Sequence, residues 1–148
     1  MIRKGQKKRI ETRETLLKEL QEVLRAEPMV KFAYVFGSSA RGLSGPLSDV
    51  DIAVYVGGGV DLFAFRPALI ERLVRALGFE NIDVVLLNKA PVGLRYSIIS
   101  TGIAIKEDKA RRVEFETSVL KEYLDFAPFR EIQSSAIGDQ IRAGEYFG

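Results

Sequence analysis

Apolar residues recur along the chain with two different spacings, and the change of spacing separates predicted helices from predicted strands. Residues 7–26 carry leucine and valine at helical spacing and predict an amphipathic helix that ends before Pro28. Residues 30–36 predict a strand with three aromatic side chains on one face. Residues 49–56 predict a second strand whose one face carries valine and isoleucine only.

The remaining pattern continues the alternation of helices and strands. The segment 82–87 is apolar on both faces beyond Asp83, which favours a central, buried third strand. A helix is expected to begin with Pro67 in its first turn and to end at Gly78. The other predicted elements are a short helix or loop at 37–42, a helix at 91–101, an edge strand at 103–106, a long helix at 108–126 and a weaker helix reaching about 142.

This alternation predicts an α/β or α+β sheet domain. A chain of 148 residues is long enough for one domain with a substantial core. We therefore predict a single domain over 1–148, with a core at about 10–127 and a C-terminal helical tail at 128–148.

The composition restricts the chemistry, because the chain contains neither cysteine nor histidine. Disulfides, thiolate or imidazole zinc sites, serine–histidine triads and a histidine base are excluded. A metal ion would have to be held by oxygen, which favours Mg²⁺ or Mn²⁺. A general base is then most simply a carboxylate.

The N-terminal residues are basic but lack the apolar stretch of a signal peptide, and no apolar run approaches the ~20 residues of a membrane span. A cytoplasmic protein without a membrane partner is expected. Five lysine and arginine residues among the first ten positions either contact nucleic acid or a nucleotide, or form a solvated helix start.

A glycine–serine pair followed by two aspartates is the strongest chemical signal. Gly37 allows the backbone to approach a ligand, and Ser38 offers a hydroxyl and an N–H to a phosphate. Asp49 and Asp51 are one residue apart in a predicted strand and therefore point to the same side. The alternative is a serine N-cap and an ordinary turn before the strand, although Asp51 lies between two β-branched residues.

Asp83 is a third acid, near the start of the third predicted strand. If that strand neighbours the second, three carboxylates converge at one edge of the sheet. Such a group can hold two metal ions for phosphoryl or nucleotidyl transfer. The alternative is an aspartate at the strand entry that faces solvent.

Together these segments resemble the signature of the DNA polymerase β-like nucleotidyltransferases, in particular the minimal, MNT-type branch. The resemblance covers roughly residues 10–127. It rests on GSSARG at 37–42, SDVDIAV at 48–54, DVVLLN at 83–88 and YLDF at 123–126.

The resemblance implies a mixed sheet of about four strands flanked by helices, the nucleotidyltransferase fold. It implies transfer of AMP from ATP, dependent on Mg²⁺ or Mn²⁺. Asp49 and Asp51 would ligate the metal, and Asp83 would complete one metal site and help to deprotonate the acceptor. Gly37 and Ser38 would hold the triphosphate. Arg41, Lys89 and Arg95 are further candidates for phosphate contact, or are exposed structural residues.

MNT-type proteins are paired with HEPN-family ribonuclease toxins, so the resemblance implies an antitoxin that modifies a tyrosine of such a partner. The segment after residue 108 either docks the partner or packs on the sheet, and packing is favoured for 113–126. Two alternatives stay open. The acceptor is RNA, as the basic N-terminus suggests, or the chain neutralises a toxin by binding alone.

Overall fold

The computed structural model describes residues 13–37, 49–78 and 81–125. Within these ranges the chain forms a four-stranded sheet covered by helices on both faces. None of the helices in the described ranges is long and apolar enough to cross a membrane. The elements are α1 Arg13–Arg25, β1 Val30–Phe36, β2 Val50–Val56, α2 Leu62–Leu77, β3 Ile82–Leu86, α3 Val92–Thr101, β4 Ile103–Lys106 and α4 Lys109–Asp125.

The sheet is mixed, with strand order β3-β2-β1-β4. β1 runs antiparallel to both β2 and β4, whereas β2 and β3 are parallel and connected through α2. This arrangement confirms the predicted α/β fold class. It also places the end of β1 and the starts of β2 and β3 at the same end of the sheet.

Strand alternation divides the core into two layers. Val50, Ile52 and Val54 of β2 pack with the leucines of α1 and α2. The opposite face carries Phe32, Tyr34 and other aromatic and aliphatic residues, which pack with α3 and α4. The predicted facing of β1 and β2 is therefore confirmed.

The prediction for the start of α2 is wrong. The helix begins at Leu62, and Pro67 lies inside it rather than in its first turn. The reason is a cap at Asp61, whose side-chain oxygen accepts the backbone N–H groups of Phe63 and Ala64 at 3.1 and 3.4 Å. At the other end, Gly78 adopts a left-handed conformation with φ 80°, as predicted for a helix stop.

The interpretation of the third strand as central is also wrong, because β3 is an edge strand of the sheet that the described residues form. Its apolar residues are buried because helices cover both of its faces: Val84 packs with the α1 and α2 layer, and Val85 with the opposite layer. Burial on two faces therefore does not require a neighbour on both edges.

α4 packs on the sheet along one side. Val119 is fully buried, Phe115 contacts the aromatic layer, and Tyr34 of β1 donates a hydrogen bond to Glu116. Tyr123 stacks on Tyr96 of α3 at 3.8 Å between ring centroids. These contacts confirm the predicted packing of 113–125. Residues 1–12, the turn beyond Gly37, Phe126 and the tail at 128–148 lie outside the described residues.

Candidate active site

Asp51 and Asp83 lie directly opposite each other on neighbouring strands. They are Cα partners in the parallel β2–β3 pair. Partners in a ladder point to the same face, here the face that also carries Ala53 and Val85. Both residues are partly exposed, and they lie at the end of the sheet where β2 and β3 begin.

The charges of the acids act on one another. Burial, followed by the charges of Asp83 and Asp49, raises the pKa of Asp51 from 3.8 to about 6. Burial also raises the pKa of Asp83. The Val84 N–H and Arg66 oppose this rise, whereas the charge of Asp49 adds to it. Each of the three acids is thus within electrostatic reach of another.

Asp49 is exposed and immediately precedes β2. Its charge reaches both of the other acids, although it lies outside the strand ladder. Across residues 13–37, 49–78 and 81–125, no group of three or more acidic, histidine or cysteine side chains is arranged to hold a metal ion. The three carboxylates therefore interact electrostatically, but in the described residues they are not arranged as a metal site with three ligands.

Arg66 of α2 reaches Asp83 at the outer edge of β3. Its Nη2 lies 2.6 Å from Asp83 Oδ1, and its Nε donates to the Val84 carbonyl at 2.7 Å. The same Asp83 oxygen accepts the Val84 N–H at 2.9 Å. Sequence reasoning did not identify Arg66, because the contact exists only if β3 is an edge strand that α2 overlies.

Gly37 lies against the carboxylate of Asp51. It follows β1, whose last residue Phe36 is the Cα partner of Asp51. Its φ is 75°, and a Cβ built on it would lie 2.9 Å from Asp51 Oδ2. Glycine is therefore required here by both conformation and space. Ser38 and Arg41 lie outside the described residues.

The two other candidates for phosphate contact lie at the opposite end of β3. Lys89 follows the strand, whereas Asp83 is near its start. Arg95 donates to the Ala90 carbonyl at 2.8 Å and pairs with Glu122 at 3.1 Å, which joins α3 to α4. The geometry gives neither cation a phosphate role beside the acids.

Comparison with protein families gives a match over most of the described chain. The sequence profile of the family described as "Polymerase beta, Nucleotidyltransferase" matches residues 18–111, a span that contains all three acids and the Gly37 turn. No curated protein matches the chain in sequence.

Solved structures provide the second comparison. A toxin–antitoxin crystal structure with AMP-PNP is 25% identical, with a TM-score of 0.66, and the match covers 84% of this chain and 98% of that chain. A mutant of the toxin–antitoxin complex MntA-HpeT is also 25% identical, with a TM-score of 0.64 and coverage of 84% and 96%.

A third similar structure is the tri-AMPylated HEPN toxin of Shewanella oneidensis in complex with an MNT antitoxin. It is 22% identical, with a TM-score of 0.62, and the match covers 87% of this chain and 98% of that chain. At this identity the likeness concerns the fold.

Proposed function

Because the chain belongs to the polymerase beta nucleotidyltransferase family, we propose that it transfers AMP from ATP to a hydroxyl group of a HEPN-type toxin and acts as that toxin's antitoxin. The observation that carries the proposal is the register of Asp51 with Asp83, with the charge of Asp49 acting on both. Such a concentration of carboxylates at a partly exposed strand end is typical of a functional site.

The donor set fits a hard divalent cation. All three side chains are carboxylates. Burial, followed by repulsion from Asp83 and Asp49, raises the pKa of Asp51, and a bound cation would favour the charged form of all three. We assign Asp49 and Asp51 as ligands of Mg²⁺ or Mn²⁺, with Asp83 completing one site. Bound there, the metal would neutralise charge on the triphosphate. Because Asp83 Oδ1 pairs with Arg66, its other oxygen is the one assigned to this role.

We assign Gly37, Ser38 and Arg41 to the triphosphate. Gly37 is the residue of these three that the structure describes. It supports the assignment, because its backbone passes beside the Asp51 carboxylate without an intervening side chain. A phosphate bound to this turn would therefore lie next to the acids.

The proposed reaction forms a bond between the acceptor oxygen and the α-phosphorus and breaks the bond to the β-phosphate, releasing pyrophosphate. The acceptor hydroxyl loses a proton, and we assign Asp83 to help remove it. Burial raises the pKa of Asp83, which suits a carboxylate that takes up a proton.

The acceptor is proposed from the kind of complexes that this chain resembles. Similar structures are toxin–antitoxin complexes, one with AMP-PNP and one with an AMPylated HEPN toxin. We propose a tyrosine of the toxin as the modified residue. The reaction consumes ATP, and we therefore place it in the cytoplasm.

The test mixes the purified protein with ATP, Mg²⁺ and the toxin encoded beside it, and weighs the intact toxin by mass spectrometry. We expect a mass gain of whole AMP units. Asp49→Asn should abolish the gain, whereas Asp61→Asn should preserve it, because asparagine also caps a helix. An unchanged toxin mass with the wild-type protein would reject the proposal.

The same assay separates the alternatives. Label from ATP that enters RNA instead of the toxin would establish RNA as the acceptor. Full neutralisation of the toxin by an Asp51→Ala variant, without any mass gain, would establish an antitoxin that acts by binding.

A further inference from the structure

In the part of the chain that the structure describes, side chains bind the backbone of Val84 on the outer edge of β3. At Val84, the backbone N–H donates to Asp83 Oδ1 at 2.9 Å, and the carbonyl accepts Arg66 Nε at 2.7 Å. Arg66 also contacts Asp83 Oδ1 through Nη2 at 2.6 Å. One guanidinium therefore binds the strand and the carboxylate at the same time.

These contacts restrict the Asp83 side chain. An aspartate has two rotatable side-chain bonds, and two donors on a single oxygen fix both of them. The second carboxylate oxygen is thereby held in one direction, while the backbone register keeps Asp83 opposite Asp51.

We propose that Arg66 is a positioning residue, which holds the Asp83 carboxylate in the orientation that the cation site shared with Asp51 requires. This inference rests on the proposed function. Lysine would retain the charge but cannot make the forked contact to a carbonyl and a carboxylate. The role therefore depends on the shape of the guanidinium as well as on its charge.

The same helix offers a matched control. Arg72 makes a forked pair with Glu27, with Nε–Oε2 and Nη2–Oε1 distances of 2.6 and 2.7 Å. Glu27 lies beyond the end of α1 and is not one of the three acids. Replacing Arg72 removes a comparable ion pair without touching Asp83.

The experiment measures Mn²⁺ binding through the rise in melting temperature, in the presence of a non-hydrolysable ATP analogue. The variants are Arg66→Lys, Arg66→Gln, Arg72→Lys, Asp83→Asn and the double variant Arg66→Lys/Asp83→Asn. We expect Arg66→Lys and Arg66→Gln to raise the Mn²⁺ concentration for half-maximal effect by about tenfold. Arg72→Lys should leave it unchanged, and Arg66→Lys should add nothing once Asp83 is asparagine.

A purely structural role would lower the melting temperature of both Arg66 variants without changing the Mn²⁺ concentration for half-maximal effect. This result would overturn the role of Arg66 but leave the proposed metal site standing. Effects of Arg66→Lys and Asp83→Asn that multiply in the double variant would also overturn it. Absence of any Mn²⁺ effect on the wild-type protein would overturn the inference together with the proposed metal site.

Discussion

Asp51 and Asp83 are held as direct partners across two parallel strands, so that two like charges face the same side of the sheet. Their register is set by neighbours that point the other way: Val50, Ile52 and Val84 are buried in the layer beneath α1 and α2. A shift by one residue would drive both acids into that core. The fold therefore enforces a repulsive pair, and this has a measurable consequence for stability.

Asp51→Asn should stabilise the free protein near pH 7. Because folding raises the pKa of Asp51 from 3.8 to about 6, its stabilising contribution is complete below about pH 4 and is lost as the pH rises through about 6. Asparagine avoids this loss. The gain should be on the order of 1 kcal/mol after allowance for partial exposure, measured by urea unfolding at pH 4 to 8.

The direction of the pH dependence decides this prediction. The stability difference between Asp51→Asn and wild type should grow with pH and level off above about pH 6. Asp61→Asn is the control, because asparagine retains the cap. A difference that is constant across the pH range would show that neither burial nor the neighbouring carboxylates raise the pKa of Asp51 in the folded protein.

Gly37→Ala should damage both the fold and the site. Alanine must adopt a φ of 75°, and its Cβ would meet Asp51 Oδ2 at 2.9 Å. Positive φ alone costs about 1–2 kcal/mol. Gly59 has a φ of 80° with open space around its Cβ position, so Gly59→Ala isolates the backbone strain.

Both variants should lose comparable stability from backbone strain, but only Gly37→Ala should also lose nucleotidyl transfer. Thermal unfolding and the toxin mass assay together provide the measurement. Equal transfer by the two alanine variants would refute the proposed contact between the Gly37 turn and the acids.

Tyr34→Phe should loosen the attachment of α4 to the sheet. The Tyr34 hydroxyl donates to Glu116 from a fully buried ring, and the pKa of Tyr34 is raised by burial and by this bond. Loss of the donor leaves the carboxylate without that partner and should cost about 2 kcal/mol. Chemical denaturation of the variant measures the loss.

Tyr55→Phe is the matched control, because Tyr55 contributes its ring to a stack on Phe32 with centroids 4.9 Å apart. Phenylalanine keeps that stack, and the change in stability should stay within about 0.5 kcal/mol. An equal effect of the two substitutions would show that the bond to Glu116 contributes nothing.

The sequence was sufficient to predict those features that a local residue pattern determines. The bounds of β1 were predicted in full, and the facing of β2 follows from alternation of valine and isoleucine with Asp51 and Ala53. The juxtaposition of Asp51 and Asp83 needed one further fact, the pairing of β2 with β3, because residues 32 positions apart carry no local signal of contact.

Other features depend on tertiary structure. Apolar residues alone do not distinguish a central strand from an edge strand covered on both faces. This explains why the predicted position of β3 in the sheet was wrong. The early start of α2 depends on the Asp61 cap, which outweighed the preference of Pro67 for a first turn. The Arg66 contact with Asp83 follows from both of these features.

We propose that the carboxylates of Asp49, Asp51 and Asp83 hold the metal for nucleotidyl transfer. The most direct measurement is a crystal structure of the protein with Mn²⁺ and a non-hydrolysable ATP analogue, with diffraction collected at the manganese absorption edge. We expect anomalous density between these carboxylates, next to the triphosphate. Manganese bound elsewhere, or a nucleotide bound away from Gly37, would contradict it.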